Sequence, residues 1–326
     1  MTESDSHINK PFKIGGVRLP SRLVQAPMAG ISGRAFRLQA RRFGAGLAFT
    51  EMISSFGVNY RNRRTLDLLA LTAPEHPVAV QLFGGSPGVM AAAAAVAEAA
   101  SADIIDINMG CPVRKVIKTG AGVALMADEN LAAAIVAAVA AAVAVPVTAK
   151  IRSGARSRVT APSLAPRLAA AGAAAITIHP RPGDAGRRGR ADHSVTKEIV
   201  EEIDIPVIAS GDISGPAAAE ELLGAGCSAV MVGQAALGNP WLFADLLSGR
   251  TPHRRPLDEV LGEMGVFYTD LVDELGEDRA GRAMRKFYGW YLKPFRTGAE
   301  LRNSLRLSRG FEEAATLIRE AIRPAR

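Results

Sequence analysis

Short apolar runs bounded by Gly, Pro or Asp recur along the chain and alternate with longer stretches that are Ala-rich or have helical spacing. Continuous apolar runs of this length predict strands that are buried on both faces, as in a parallel sheet covered by helices. The predicted strands are Leu23–Pro27, Leu47–Met52, Val78–Phe83, Ile104–Asn108, Val147–Ile151, Ala175–His179, Val207–Ser210 and Ala229–Gly233. The predicted helices between them are Gly33–Phe43, Pro87–Ala100, Asn130–Val143, Ser163–Ala171 and Gly215–Leu223.

Eight alternating strand–helix units have the size expected of a (β/α)8 TIM barrel, which takes about 250 residues. The competing fold is a doubly wound open sheet, whose dinucleotide-binding form carries a GxGxxG turn after its first strand. No such turn follows Leu23–Pro27. The pattern therefore predicts an α/β protein built on a TIM barrel.

The alternation ends after Pro240. Leu257–Leu275, Ala280–Leu292 and Phe311–Ile322 have helical patterns with no strand between them. An abrupt change from α/β to all-α often marks a domain boundary. We predict a catalytic barrel domain over residues 1–254 and a small helical domain over residues 255–326.

Composition supports a large globular protein. The 326 residues are 48% hydrophobic and 22% charged, which excludes a disordered chain. Two cysteines without a CxxC pair exclude a disulfide framework and give no indication of a metal site. The first residues are polar, and the most apolar run, Leu131–Val145, is too short to span a bilayer. We expect a cytoplasmic protein, and its net charge of +7 is compatible with a polyanionic partner.

The carboxyl ends of the predicted strands carry polar and reactive residues, and in a barrel those ends face the active site. The residues are Pro27 to Gly30, Glu51, Gln81, Asn108 to Pro112, Lys150 with Arg152, His179 with Arg181, Ser210 to Asp212, and Gly233 with Gln234. The glycines after the last two strands stand where barrels commonly bind phosphate through backbone N–H groups. They indicate either a phosphorylated ligand or tight structural turns.

Several segments resemble the signatures of the tRNA-dihydrouridine synthases, and most closely the bacterial B-type branch of that family. Of these, Asn108–Pro112 with the flanking Lys115–Gly122 is the most specific. The segments are Ala26–Gly30, Gln81–Gly84, Asn108–Pro112, Lys115–Gly122, Gly211–Ile213, Ala236–Trp241 and Arg285–Lys293.

The resemblance implies an FMN enzyme that uses NADPH to reduce the C5–C6 double bond of a uridine in tRNA. It makes Cys111 the general acid and gives Asn108 a part in holding the uracil. An ordinary thiol, with a pKa of about 8.5, is mostly protonated at neutral pH and can donate a proton. The cofactor-binding residues implied are Pro27, Met28, Ala29, Gln81, Lys150, His179, Ser210, Gly211, Asp212, Gly233 and Gln234.

The resemblance also implies that the helical domain recognises RNA. The substrate-binding residues expected besides Asn108 are Arg152 and Arg181 in the barrel and Arg285, Lys286 and Lys293 in the tail. Arg187, Arg188, Arg190 and Arg302 are further candidates for contacts to the RNA backbone. No metal and no membrane is expected among the partners.

Some positions depart from the family pattern. Gln234 stands where an Arg usually follows the Gly, Gly33 replaces an Asp, and Ser210 stands for an Asn. The loop after His179 also differs. Two alternatives therefore stay open: a flavin-dependent barrel that reduces a free small molecule, and a catalytically impaired RNA-binding paralogue.

Overall fold

A computed structural model of the chain describes residues 7–186 and 188–322. Eight parallel strands close into a barrel, because the last strand pairs with the first and every other strand pairs with its neighbours. In chain order the strands are β1 (Phe12–Ile14), β2 (Val17–Leu19), β3 (Leu23–Gln25), β4 (Leu47–Phe49), β5 (Ile53–Ser54), β6 (Val78–Phe83), β7 (Ile104–Met109), β8 (Val147–Arg152), β9 (Ala175–His179), β10 (Val207–Ser210) and β11 (Ala229–Val232). The predicted TIM barrel is confirmed.

The barrel consists of β3, β4 and β6 to β11, and these eight strands coincide with the eight predicted apolar runs. The first two predicted strands are longer than the strands in the structure. β3 stops at Gln25 and β4 at Phe49, after which the chain turns into loops that line the open end of the barrel. The short β5 continues along the same edge of β6 that β4 begins.

The helices are α1 (Arg34–Arg42), α2 (Ser55–Asn59), α3 (Arg63–Asp67), α4 (Pro87–Ala99), α5 (Arg114–Ile117), α6 (Glu129–Ala142), α7 (Ala161–Ala170), α8 (His193–Glu202), α9 (Pro216–Gly224), α10 (Trp241–Leu247), α11 (Leu257–Leu275), α12 (Glu277–Tyr291), α13 (Ala299–Leu307) and α14 (Phe311–Ala321). Those before α11 surround the barrel. None of the helices in residues 7–186 and 188–322 combines the length and the hydrophobicity that a bilayer span requires.

The antiparallel hairpin of β1 and β2 lies at the amino ends of the barrel strands. Its buried Ile14 and Leu19 pack with Leu47, Ala79 and Ile104, which begin or lie near the beginning of their strands. This packing fills the end of the barrel opposite the functional loops.

The last four helices, α11 to α14, form the C-terminal helical region that the sequence predicted. The sequence analysis did not predict α13. This helix is short and buries only two leucines, Leu301 and Leu305, which is too few to give a clear helical pattern. The region shares one hydrophobic core with the barrel helix α1. Gln39 of α1 also donates a hydrogen bond of 2.6 Å to Glu263 of α11. The division into domains at residue 255 remains a prediction.

Candidate active site

A cavity of about 700 Å³ opens at the carboxyl ends of the barrel strands. It is lined by residues from strands and loops that are far apart in sequence. Every residue predicted to bind the cofactor lines it: Pro27, Met28, Ala29, Gln81, Lys150, His179, Ser210, Gly211, Asp212, Gly233 and Gln234. Cys111, Asn108, Arg152 and Arg181 line it as well.

A chain of hydrogen bonds runs from the barrel interior to the loop that carries Cys111. Gln81 Nε2 donates to Asp106 Oδ2 at 2.7 Å, and Asn108 Nδ2 donates to Gln81 Oε1 at 2.7 Å. Asn108 Oδ1 then accepts the backbone N–H of Cys111 at 2.9 Å. Because each partner fixes the orientation of the next amide, the position of Cys111 depends on a buried carboxyl group.

Asp106 was not among the residues that the sequence analysis singled out. It is fully buried and accepts a 2.6 Å hydrogen bond from Thr148 Oγ1 in addition to that from Gln81. Burial raises the pKa of Asp106 to about 7, against the opposing effects of those two hydrogen bonds and of the Lys150 charge. A signal was present in the sequence, since an Asp interrupts an apolar strand two residues before Asn108 and so faces the same side. Met52, which also lines the cavity, offered no comparable signal.

Hydrogen bonds from Arg152 and Val123 hold the loop that carries Cys111. Arg152 Nε donates to Gly110 O at 3.1 Å, and Val123 N donates to Cys111 O at 3.1 Å. Gly122 has φ +63°, and a Cβ there would stand 2.6 Å from Cys111 O, so only glycine fits. Burial raises the pKa of the Cys111 thiol above its ordinary value, although the H-bond at Val113 and the Arg152 charge oppose the rise. The thiol is therefore protonated at neutral pH.

Two basic residues of the cavity have lowered pKa values. Burial and the nearby Arg152 lower the pKa of Lys150 to about 8, while Asp106 acts in the opposite direction. Burial, followed by the charges of Lys150, Arg152 and Arg181, lowers the pKa of His179 to about 2. At neutral pH Lys150 is thus mostly a cation and His179 is neutral. His179 Nε2, 2.9 Å from Arg181 Nη1, accepts the hydrogen bond from that guanidinium.

The turn after β10 has the geometry of an anion-binding loop. Gly211 has φ +108°, and a Cβ there would stand 2.8 Å from His179 Cδ2. The next residue, Asp212, has φ +57°. Among the residues that the structure describes, none accepts a hydrogen bond from the backbone N–H groups of Asp212, Ile213 or Ser214. Consecutive free N–H groups beside a cavity suit the oxygens of a phosphate.

Arg181 and Arg152 hold the loop that follows β9. Arg181 Nη2 lies 2.6 Å and 2.8 Å from the two oxygens of Asp212 and also donates to Gly189 O at 2.9 Å. Burial acts to raise the pKa of Asp212, but the hydrogen bonds from Ala191 N and Arg181 outweigh it, and the pKa is lowered. Arg152 Nη1 donates to Gly186 O at 2.6 Å. Both guanidinium groups line the cavity, where Arg181 pairs with a carboxylate and Arg152 donates to backbone carbonyls.

The predicted RNA-contacting residues of the tail lie outside this cavity. Arg285 donates to Ser308 O at 3.0 Å, inside the helical region, and Lys293 is exposed. The Lys286 ammonium donates a hydrogen bond to the carbonyl oxygen of Gly30, and the backbone N–H of Gly30 donates to the Glu51 carboxylate. Lys286 therefore ties α12 to the loop that carries Pro27, Met28 and Ala29. Arg188, Arg190 and Arg302 are exposed, and Arg187 lies outside the described residues.

No group of three or more His, Cys, Asp or Glu side chains within residues 7–186 and 188–322 is arranged to hold a metal ion.

Comparison with solved structures shows the same fold in enzymes of distant sequence. Histamine dehydrogenase from Rhizobium sp. 4-9 superposes with a TM-score of 0.60 at 13% identity, over 83% of this chain and 51% of that longer chain. Morphinone reductase superposes with a TM-score of 0.58 at 15% identity, over 80% of this chain and 94% of the other.

Sequence comparison finds much nearer relatives. A probable tRNA-dihydrouridine synthase of Rickettsia conorii is 38% identical over 303 residues, covering 91% of this chain and 92% of the relative. The tRNA-dihydrouridine synthase B of Pseudomonas aeruginosa is 39% identical and covers 89% of each chain. The family model described as dihydrouridine synthase (Dus) matches residues 24–325. These matches confirm the resemblance carried by the motifs, and the chain belongs to the dihydrouridine synthase family of oxidoreductases.

Proposed function

We propose that the chain reduces the C5–C6 double bond of specific uridines in tRNA to give dihydrouridine, with FMN as its cofactor and NADPH as the electron donor, in the cytoplasm. Two kinds of observation support the proposal. The relatives named above are described as tRNA-dihydrouridine synthases. The observation that carries it is the position of Cys111 in the cavity wall, where Asn108 holds its backbone N–H and burial raises the pKa of its thiol.

The cavity suits a flavin mononucleotide. The free N–H groups of Asp212, Ile213 and Ser214 suit a phosphate, and the Lys150 cation suits the electron-rich carbonyl edge of an isoalloxazine ring. FMN, when bound, supplies the hydride. The residues proposed to hold it are Pro27, Met28, Ala29, Gln81, Lys150, His179, Ser210, Gly211, Asp212, Gly233 and Gln234.

Reduction adds a hydride to C6 of the uracil and a proton to C5, and we assign the proton to Cys111. The thiol must be protonated before the reaction, and its raised pKa meets that requirement at neutral pH. Asn108, whose Oδ1 accepts the Cys111 N–H, would hold a bound uracil at a fixed position relative to the Cys111 loop. Asp106 acts as a positioning residue, because it anchors the Gln81 amide that orients Asn108.

The uridine must leave its base stack to enter a cavity of this depth. Around the opening, exposed basic side chains are suited to the flanking phosphates, and we propose that Arg188 and Arg190 contribute from the loop after β9. Lys293 and Arg302 are the exposed candidates on the tail, and residues 255–326 are the proposed RNA-recognition region. Arg152, Arg181, Arg285 and Lys286 would act on the RNA indirectly, through the loops and helices that they hold.

The test is expression in a bacterial strain that lacks its own dihydrouridine synthases, followed by mass spectrometry of nucleosides from purified tRNA. Dihydrouridine should appear with the wild-type chain and be nearly absent with Cys111→Ala. A flavin spectrum of the purified protein without dihydrouridine in tRNA would favour reduction of a free small molecule. A colourless protein that binds tRNA but forms no dihydrouridine would favour the impaired paralogue.

A further inference from the structure

Two aromatic side chains project from the barrel at the end where the cavity opens. Tyr60 is 81% exposed and Phe56 is 40% exposed. Their rings are stacked, with centroids 6.4 Å apart and planes 15° from parallel. Rings that pack on each other and not into the core retain an exposed π face.

Three arginines adjoin this pair on the same connection between β5 and β6. Arg61, Arg63 and Arg64 are exposed. Within the part of the chain that the structure describes, no carboxylate or other acceptor pairs with their guanidinium groups. We call Phe56, Tyr60, Arg61, Arg63 and Arg64 the aromatic–arginine patch.

The patch is connected directly to the cavity. Met52, which lines the cavity, immediately precedes β5, and α2 with Phe56 follows β5. Asn59 Nδ2 donates to Val89 O at 2.8 Å, which fixes the end of α2 against α4. The patch therefore begins on α2, four residues along the chain from the cavity wall, and continues through the turn at Tyr60 and Arg61 to the start of α3.

A second group of basic residues lies beside the turn at Gly84 and Gly85, which follows β6. Gly84 lies against Ser55 Oγ at the start of α2, and Gly85 lies against Thr119 O, since a Cβ on Gly85 would stand 2.6 Å from that oxygen. Thr119 closes the segment that begins with Cys111 and includes the exposed Arg114, Lys115 and Lys118. Positive charge thus continues from the patch to the residues that follow the catalytic thiol.

We infer that the aromatic–arginine patch binds the single-stranded RNA next to the uridine that enters the cavity, with a base stacked on Tyr60 and phosphates on the three arginines. Exposed aromatic rings beside unpaired cations are the elements with which proteins hold single-stranded nucleic acid without reading its sequence. An extruded base leaves its neighbours unstacked, so a stacking surface at the rim compensates part of that cost. The inference rests on the proposed function and adds the position of the flanking strand.

The test measures the affinity of the full-length, flavin-loaded protein for an unmodified tRNA transcript across a range of salt concentrations. Tyr60→Ala should weaken binding at least about fivefold, and Tyr60→Trp should restore it, because stacking on one base contributes on the order of 1 kcal/mol or more. Replacing Arg61, Arg63 and Arg64 together by Gln should reduce the slope of log Kd against log salt by about 2.

A matched control removes three charges at the opposite end of the barrel. Lys10, Lys13 and Arg18 are exposed on and before the β1–β2 hairpin, and the triple change to Gln should leave the slope nearly unchanged. An equal loss in this control would show a net-charge effect and overturn the inference. So would wild-type affinity and kcat/KM for dihydrouridine formation in both patch variants.

The two proposals fail in distinguishable ways. The patch variants should leave reduction of the bound flavin by NADPH unchanged. Their kcat/KM on tRNA should fall together with their affinity for tRNA. If wild-type protein forms no dihydrouridine but loses RNA affinity on Tyr60→Ala, the proposed function is wrong and the patch stands. If dihydrouridine forms normally in every patch variant, the patch is wrong and the function stands.

Discussion

The carboxylate of Glu274 occupies the space that a side chain on Gly33 would need. A Cβ on Gly33 would stand 2.8 Å from Glu274 Oε1. Gly33 is the N-cap residue of α1 and offers no capping side chain. Glu274, from α11, accepts the backbone N–H groups of Arg34 at 2.9 Å and Ala35 at 2.8 Å instead. A residue of the helical tail therefore caps a barrel helix at the position where the family resemblance led us to expect an Asp.

Because Glu274 caps α1 in place of a side chain at residue 33, we expect substitutions at Gly33 and Glu274 to compensate each other. Glu274→Ala should destabilise the protein by about 1 kcal/mol, since that is the usual cost of losing an N-cap. Gly33→Asp alone should also destabilise it, because a second carboxylate is forced against Glu274. The double variant should recover most of the loss in urea unfolding. Strictly additive effects would contradict the prediction, and Asp273→Ala, at an exposed neighbouring carboxylate, is the control.

Cys111→Ala should bind FMN and accept electrons from NADPH as the wild type does, but form dihydrouridine at least about 10²-fold more slowly, the usual contribution of a general acid. In the wild type, ionisation of the thiol should slow the reaction only at alkaline pH, because burial raises the pKa of Cys111. Single-turnover measurements on unmodified tRNA would show both effects. Cys227→Ala, which changes a buried thiol of the core behind the barrel, should keep the wild-type rate per folded molecule. Wild-type turnover by Cys111→Ala would disprove the assignment.

Asp106→Asn should change how stability depends on pH. The folded-state pKa of about 7 lies above the unfolded value of 3.8, so the folded protein holds the proton more tightly. The favourable contribution is present at acid pH and is lost as the pH rises between these two values. The wild type should therefore lose stability relative to Asp106→Asn between about pH 4 and pH 7, by on the order of a few kcal/mol. Parallel pH profiles of urea unfolding for the two proteins would show that this carboxyl group does not titrate in that range.

Gln234→Arg should tighten FMN binding by about tenfold, equivalent to about 1.4 kcal/mol. A guanidinium offers charge-assisted hydrogen bonds to a phosphate, whereas Gln offers a neutral amide. Arg181 does not replace the missing charge, because Asp212 already engages it at 2.6 Å and 2.8 Å. Titration of the flavin-free protein by quenching of flavin fluorescence measures the change, with Gln234→Met as the uncharged control. Equal affinity of Gln234→Arg and the wild type would mean that another cation already serves the phosphate.

The barrel was predictable from local pattern. A strand buried on both faces must be continuously apolar, so the strands were visible as apolar runs, and β6, β9 and β10 were predicted to the residue. Eight such runs separated by helices favoured a barrel over an open doubly wound sheet. The residues that line the cavity were predictable for the same reason, since a parallel barrel brings every carboxyl end to one rim. Motif resemblance then suggested roles that no pattern of polarity could assign, such as the role of general acid proposed for Cys111.

Tertiary structure alone decided how those residues are held. A carboxyl group takes its pKa and its partners from neighbours on other strands, so Asp106 gained its place under Gln81 and Asn108 only when three strands came together. The same holds for the basic residues. From the sequence we expected Arg152, Arg181 and Lys286 to bind the substrate, yet each donates to a backbone oxygen of a loop at the cavity. Sequence determines which side chains reach the rim, because strand direction is local; what each one touches there depends on long-range packing, which no local pattern encodes.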